Sequence, residues 1–228
     1  MNFWGACCVL CHQPLAIAKH GLCSNCNKTI RRFHYCGCCG TELARDELHC
    51  GNCLQNEPAW ERMVIVGRYN EPLSVLIHRF KFQNLWFLDR TLARLLLLAV
   101  LQARRTHGLT LPDVILPVPL HHRRHWRRGY NQTQLLTAQL SQWLHIPTHK
   151  DLIKKIRNTP NQRGLTSNAR RQNVKNAFRI DRTFSNYGYR SVALVDDVIT
   201  TGSTLNEIAK ALRNTGVEHI QVWGLART

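Results

Sequence analysis

From Met63 onward, apolar and polar positions follow two alternating rhythms. "MVIVGRY" is a short apolar run of strand length, and residues 73–82 and 88–105 repeat apolar residues every three or four positions, the spacing of a helix with one buried face. The richest run, "LLLLAVL", falls within the second of these helices. Arg90, Arg94, Arg104 and Arg105 flank it, and it is far short of the ~20 apolar residues of a membrane span, so it predicts a buried amphipathic helix. "DVILPVP" predicts a strand ended by proline, and residues 130–144 an amphipathic helix. "SVALVDD" predicts a strand apolar without interruption, as in a parallel sheet covered on both faces. Thr201 to Asn214 then predict a helix and "HIQVWGLA" a last strand. This order predicts an α/β fold, a parallel sheet flanked by helices, in which ligands bind at the carboxyl ends of strands. Residues 157–178 carry no sustained apolar run and are expected to form a long loop with a short helix. Loops of that length in compact domains usually serve function.

Before Met63 this rhythm is absent and cysteine takes over. All ten cysteines lie between Cys7 and Cys53, which separates a module over residues 1–58 from a second domain over 60–228, joined by the linker "NEPAWER". Eight of them form four C-x-x-C pairs: Cys8/Cys11, Cys23/Cys26, Cys36/Cys39 and Cys50/Cys53. Each such turn puts two thiolates on one side of a tight loop, and two turns complete a tetrahedral zinc site. About two structural Zn²⁺ ions are therefore expected, with the pairs combined either sequentially or interleaved; the short gaps favour sequential pairing. Cys7 and Cys38 are spare, and either could replace its neighbour. "MNFWGACCVLC" has neither the basic start nor the apolar core of a secretory signal, so disulfides are not expected and a cytoplasmic location is.

Charge divides the chain in the same place. The formal net charge is +17, and residues 61–228 carry 26 Lys/Arg against 10 Asp/Glu. Residues 121–182 alone hold 14 basic and 2 acidic residues, a surface that attracts phosphate on a small ligand or on nucleic acid. Against this background "VALVDDVITTGST" places two acids at a strand end, directly before a turn rich in hydroxyls. The helix that starts in the turn aims free backbone N–H groups and its positive dipole end at the loop. Gly202 permits a tight turn, and Thr200, Thr201, Ser203 and Thr204 add hydroxyl donors: an anion cradle. Asp196 and Asp197 would repel an anion. They suit vicinal hydroxyls or a Mg²⁺ ion, so the pattern asks for a ligand with a phosphate at one end and a diol nearby, a 5-phosphorylated ribose.

This stretch resembles the phosphoribosyl pyrophosphate (PRPP) motif of type I phosphoribosyltransferases. The whole chain resembles the ComF/GntX family of competence-related proteins, which joins a C-x-x-C zinc module to such a domain. "LIHRFKF", "PVPLHHRRHWRRGYNQ" and "RNTPNQRGLTSNARRQNVKNAF" carry the likeness besides the PRPP motif. The resemblance implies a type I phosphoribosyltransferase fold. It implies that Asp196 and Asp197 face the ribose hydroxyls and Mg²⁺, and that Thr200, Thr201, Gly202, Ser203 and Thr204 hold the 5-phosphate. It also implies that the backbone near Leu120 and the charge of Arg128 grip pyrophosphate. Arg163, Arg170, Arg171 and Lys175 would belong to a lid over the pyrophosphate. The basic residues Arg124, Arg127, Arg170, Arg171 and Lys175 would equally suit a single-stranded DNA backbone, with Trp126 and Tyr130 stacking on bases. The implied role is a competence protein in natural transformation that handles incoming single-stranded DNA and binds Mg²⁺ with PRPP. Its partners would be a DNA translocase or recombination proteins and, since dimers are common in that superfamily, a second copy of itself. The alternative is an active phosphoribosyltransferase with a base, nucleotide or amine acceptor, although no acceptor pocket is legible in the cysteine module.

Overall fold

The computed structural model describes residues 7–83, 85–120, 130–157 and 175–228. Four parallel strands form the main sheet: β1 (Arg62–Arg68), β2 (Val114–Pro117), β5 (Ser191–Ile199) and β6 (His219–Arg227), in the order β1-β6-β5-β2. The apolar strands split their side chains between two layers. Val64, Val66, Ala193, Val195, Trp223 and Leu225 face one buried cluster, whereas Met63, Ile65, Val192, Leu194, Ile220 and Val222 face another. That is the period of two along a strand, and it explains why "VALV" is apolar at every position. Helices α3 (Leu73–Phe82), α4 (Asp89–Thr106) and α5 (Gln132–Leu144) supply Phe80, Leu92, Leu96, Leu136 and Leu140 to the first cluster. Helix α6 (Ser203–Arg213) supplies Leu205, Ile208 and Leu212 to the second. No helix among the described residues is long and apolar enough to cross a membrane.

Two short antiparallel strands, β3 (Ile153–Lys155) and β4 (Phe178–Ile180), form a ribbon beside α6. Ile156 N–H donates to the Ala177 carbonyl at 2.9 Å and Arg157 Nη2 to the Lys175 carbonyl at 2.6 Å. The expected loop over 157–178 therefore has its described ends tied side by side, and its C-terminal end is a strand. Its interior lies outside the described residues.

The cysteine module contains the short helices α1 (Ser24–Lys28) and α2 (Gly51–Gln55) and packs directly on the second domain. Cys8, Leu22 and Ile30 are buried in the same cluster as Val64, Leu76 and Leu92. Gly21, at φ +68°, lies so close to Thr91 of α4 that a Cβ there would overlap its hydroxyl. His107, at the end of α4, is buried; its ring stacks near Tyr35 and its Nε2 lies 3.1 Å from the Tyr35 carbonyl. The linker is fixed as well. Trp60 Nε1 donates to the Cys38 carbonyl at 2.8 Å, Ala59 N–H to Asn206 Oδ1 at 2.9 Å, and Glu61 pairs with Arg213.

Candidate functional site

The acid pair lies near the carboxyl end of β5, which continues through Val198 and Ile199. Alternation along the strand puts Asp197 on the face of Ala193 and Val195, toward α3, and there it meets a cation. Lys81 Nζ lies 2.7 Å from Asp197 Oδ1, and both side chains are largely buried. The same oxygen accepts from Val198 N–H at 2.6 Å, while Asp196 Oδ1 accepts from Asp197 N–H at 2.8 Å. Burial raises the Asp196 carboxyl to about 7, helped by the neighbouring Asp197 charge and opposed by Lys81. Lys81 lies within "LIHRFKF", the stretch singled out for its likeness to a basic helix, but sequence reasoning assigned it no place at the site. No local signal marked it: Lys81 stands near the end of α3, one residue after the core residue Phe80, and meets Asp197 only in the fold.

The turn follows at once. Gly202 has φ +72° and is the N-cap of α6. Thr201 Oγ1 lies 2.8 Å from Ser203 Oγ, Asn206 N–H donates to the Gly202 carbonyl at 2.8 Å, and Arg227 donates to the Thr200 carbonyl. Thr201 is exposed, Thr200 and Thr204 are half-buried, and Ser203 is buried. At the start of α6, Ser203 N–H donates to Thr201 Oγ1 at a long 3.4 Å, so the first backbone N–H groups of the helix stand among hydroxyls. The close neighbour of Gly202 is protein: a Cβ there would come within 2.9 Å of the Trp60 ring. The glycine is required both for its left-handed φ and for the indole that packs on it.

Trp60 also lines a cleft of about 950 Å³. One wall is the turn with α6, including Thr201, Ser203 and Lys210; the other is the cysteine module, including Thr41 and Asn52. Lys175 sits exposed in its lining. The module, in which no acceptor pocket was legible, therefore lines a cleft together with the turn before α6. Asp196 and Asp197 do not line it.

The eight paired cysteines form two groups in sequential order. Cys8, Cys11, Cys23 and Cys26 bring their sulfurs within 4.8 Å of one another, and so do Cys36, Cys39, Cys50 and Cys53. The Cys11–Cys23 and Cys39–Cys50 sulfurs are 3.7 Å apart and the Cys36–Cys53 pair 3.9 Å. Four sulfurs at the ~2.3 Å zinc bond length around a tetrahedral centre would lie about 3.8 Å apart, so both groups fit zinc. Backbone N–H groups of Cys26 and Cys50 point at Cys23 and Cys36 sulfurs, as suits thiolates. Of the spare thiols, Cys38 is buried against Trp60, and Cys7 forms a strand bridge with Pro14.

Leu120 is half-buried just beyond β2, where the Val118 carbonyl accepts from Thr133 Oγ1 at 2.8 Å and Asn131 caps α5. The half-buried Tyr130 places its ring 5.9 Å from Phe80 and donates its hydroxyl to the Phe80 carbonyl, which ties it to α3. Arg124, Trp126, Arg127, Arg128, Arg163, Arg170 and Arg171 lie outside the described residues.

The phosphoribosyl transferase domain family matches residues 134–227, from within α5 to the end of β6, and so includes the acid pair and the turn. Competence protein F of Haemophilus influenzae (strain ATCC 51907 / DSM 11121 / KW20 / Rd) is 61% identical over 227 residues, covering 100% of this chain and 99% of its own. DNA utilization protein YhgH of Escherichia coli (strain K12) is 46% identical over 222 residues, 97% of this chain and 96% of its own. Competence protein ComFC of Bacillus subtilis (strain 168) is 24% identical over 206 residues, 86% and 79% of the two chains.

Proposed function

The chain belongs to the competence protein F family, and from that membership we propose that it serves the use of incoming DNA, with the acid pair and turn as a site for PRPP and Mg²⁺. One observation carries the ligand reading: two carboxylates and a hydroxyl-lined helix start stand next to each other at one strand end. Helix α6 would hold the 5-phosphate through its first N–H groups and the Thr201 and Ser203 hydroxyls. Asp196 and Asp197 would accept from the ribose hydroxyls. Carboxylate oxygens suit Mg²⁺, and the pair fits one ion shared with the ligand. Mg²⁺, when bound, would supply charge neutralisation at the pyrophosphate. The two cysteine groups would each hold a structural Zn²⁺.

The basic segments over 121–182 would meet the backbone of single-stranded DNA, and the cysteine module a translocase or recombination protein, in the cytoplasm. Binding of single-stranded DNA should then weaken with salt by about 0.7 log unit per decade for each phosphate neutralised, and little with sequence. A log-log slope near zero would remove the DNA reading.

The ligand reading is tested by melting. At about one hundred times its Kd, Mg²⁺-PRPP should stabilise the fold by about 2.7 kcal/mol, a rise of about 5–10 °C for a chain of this size. Joint replacement Asp196→Asn and Asp197→Asn should remove that rise. A full response from the double variant would show that the ligand sits elsewhere.

A further inference from the structure

Lys81 holds a charge in a place where charge is costly. Its side chain is 15% exposed and that of Asp197 11%, with 2.7 Å between Nζ and Oδ1. Breaking such a pair leaves a partly buried charge uncompensated. Lys81 is also held by its helix. Leu73, Leu76, Ile77 and Phe80 anchor α3 in the core; Arg79 Nη1 donates to the Val9 carbonyl of the first cysteine loop at 3.2 Å; and Tyr130 closes on the Phe80 carbonyl. A lysine on so fixed a helix has little reason to leave Asp197 unless something replaces it.

The pair of acids carries up to two negative charges and Lys81 one positive charge. A phosphorylated ribose brings further negative charge to the same strand end. We infer that Lys81 is the resident cation of the acid pair, which competes with a divalent ion for Asp197 and offsets the pair's charge when a phosphorylated ribose binds without metal. The inference rests on the phosphoribosyl reading of the site for its second half only; competition with a divalent ion follows from the ion pair itself. Lys81 acts through Asp197 and is a positioning residue, and its removal moves metal and anion affinity in opposite directions. A purely structural lysine would not do so.

Two probes separate these effects on the full, zinc-loaded chain. Mn²⁺ alone, followed by water-proton relaxation, reports the acid pair after subtraction of the Asp196→Asn, Asp197→Asn background. Ribose 5-phosphate in magnesium-free buffer, followed by calorimetry, reports the anion. Lys81→Met should bind Mn²⁺ at least tenfold more tightly and ribose 5-phosphate at least tenfold more weakly, while Lys81→Arg should keep both near the parent values. Lys81→Gln retains a hydrogen bond to Oδ1 and gives the same comparison if the methionine variant does not fold. Unchanged Mn²⁺ affinity in the neutral variants overturns the inference. A parent chain that takes up neither ribose 5-phosphate nor Mg²⁺-PRPP overturns the phosphoribosyl reading instead, and the Mn²⁺ comparison still decides whether Lys81 competes for Asp197.

Discussion

Asp196 and Asp197 are neighbours with opposite thermodynamic signs. Burial, with the Asp197 charge, raises the Asp196 carboxyl from the ordinary 3.8 to about 7. The folded chain therefore keeps this proton up to about pH 7, while the unfolded chain gives it up near pH 4. The stability linked to that proton is fully present below about pH 4 and is lost as pH rises toward 7. Asp196→Asn abolishes this loss, so in magnesium-free buffer the variant should melt above the parent at pH 8 and lose that advantage toward pH 4. A gain of at least about 1 kcal/mol, or about 2–4 °C, is expected at pH 8. Asp197→Asn strips Lys81 of its partner and should cost about 1–3 kcal/mol. Melting curves of the two single variants across pH check both signs; a pair of variants shifting the same way at pH 8 would contradict this account. Under the proposed reading, a bound ligand or its cation would relieve this acid of its energetic disadvantage.

At the scale of elements, the turn before α6 depends on a linker residue far away in the chain, Trp60. Gly202→Ala would have to adopt φ +72° and displace the Trp60 ring at 2.9 Å. A cost of about 1–3 kcal/mol is expected, read as a drop in melting temperature together with a change in tryptophan fluorescence. The turn itself was legible in the sequence because its signals are local: an apolar strand, two acids, hydroxyls and a glycine within thirteen residues. The same holds for β1, β2, α3 to α6 and the last strand, whose periods are written in consecutive residues. What was not legible depends on contact between distant segments. Lys81 and Asp197 meet although they stand far apart in the chain. Trp60 looked like a linker residue because nothing near it in sequence shows that its indole closes on Gly202. The β3–β4 ribbon was not predicted, and only Phe178 of it fell within the loop expected over 157–178: each strand is three residues long, too short to show a period, and gains its order from pairing and from α6. The sequential combination of cysteine pairs, favoured by the short gaps, became visible only with the sulfurs in place.

At the scale of the molecule, the cysteine module and the second domain share a core. Cys8, Leu22 and Ile30 belong to the cluster formed by β1, α3 and α4. Joint replacement Cys23→Ser and Cys26→Ser removes two of the four ligands of the first sulfur group, and a module with its own core would then unfold alone. With this shared burial it should instead lower the melting temperature of the whole chain in a single transition. Elemental analysis should find about two zinc ions in the parent and about one in the variant. Separate transitions for module and domain would show that the interface contributes little. The position of β6 in the sheet bears on synthesis as well as on packing. The strand made last, His219–Arg227, lies between β1 and β5, which never touch as neighbours. While the chain is being made, both cysteine groups can close early, but β1 waits with an open edge for a partner about 160 residues downstream. During that interval the nascent chain carries an apolar strand with unpaired backbone groups, the condition under which misassembly competes with folding. The acid pair, on β5, has β2 on one side but lacks β6 on the other until His219–Arg227 emerges. A ribosome that stops short of His219 therefore releases a product without the middle of its sheet, rather than one trimmed at an edge.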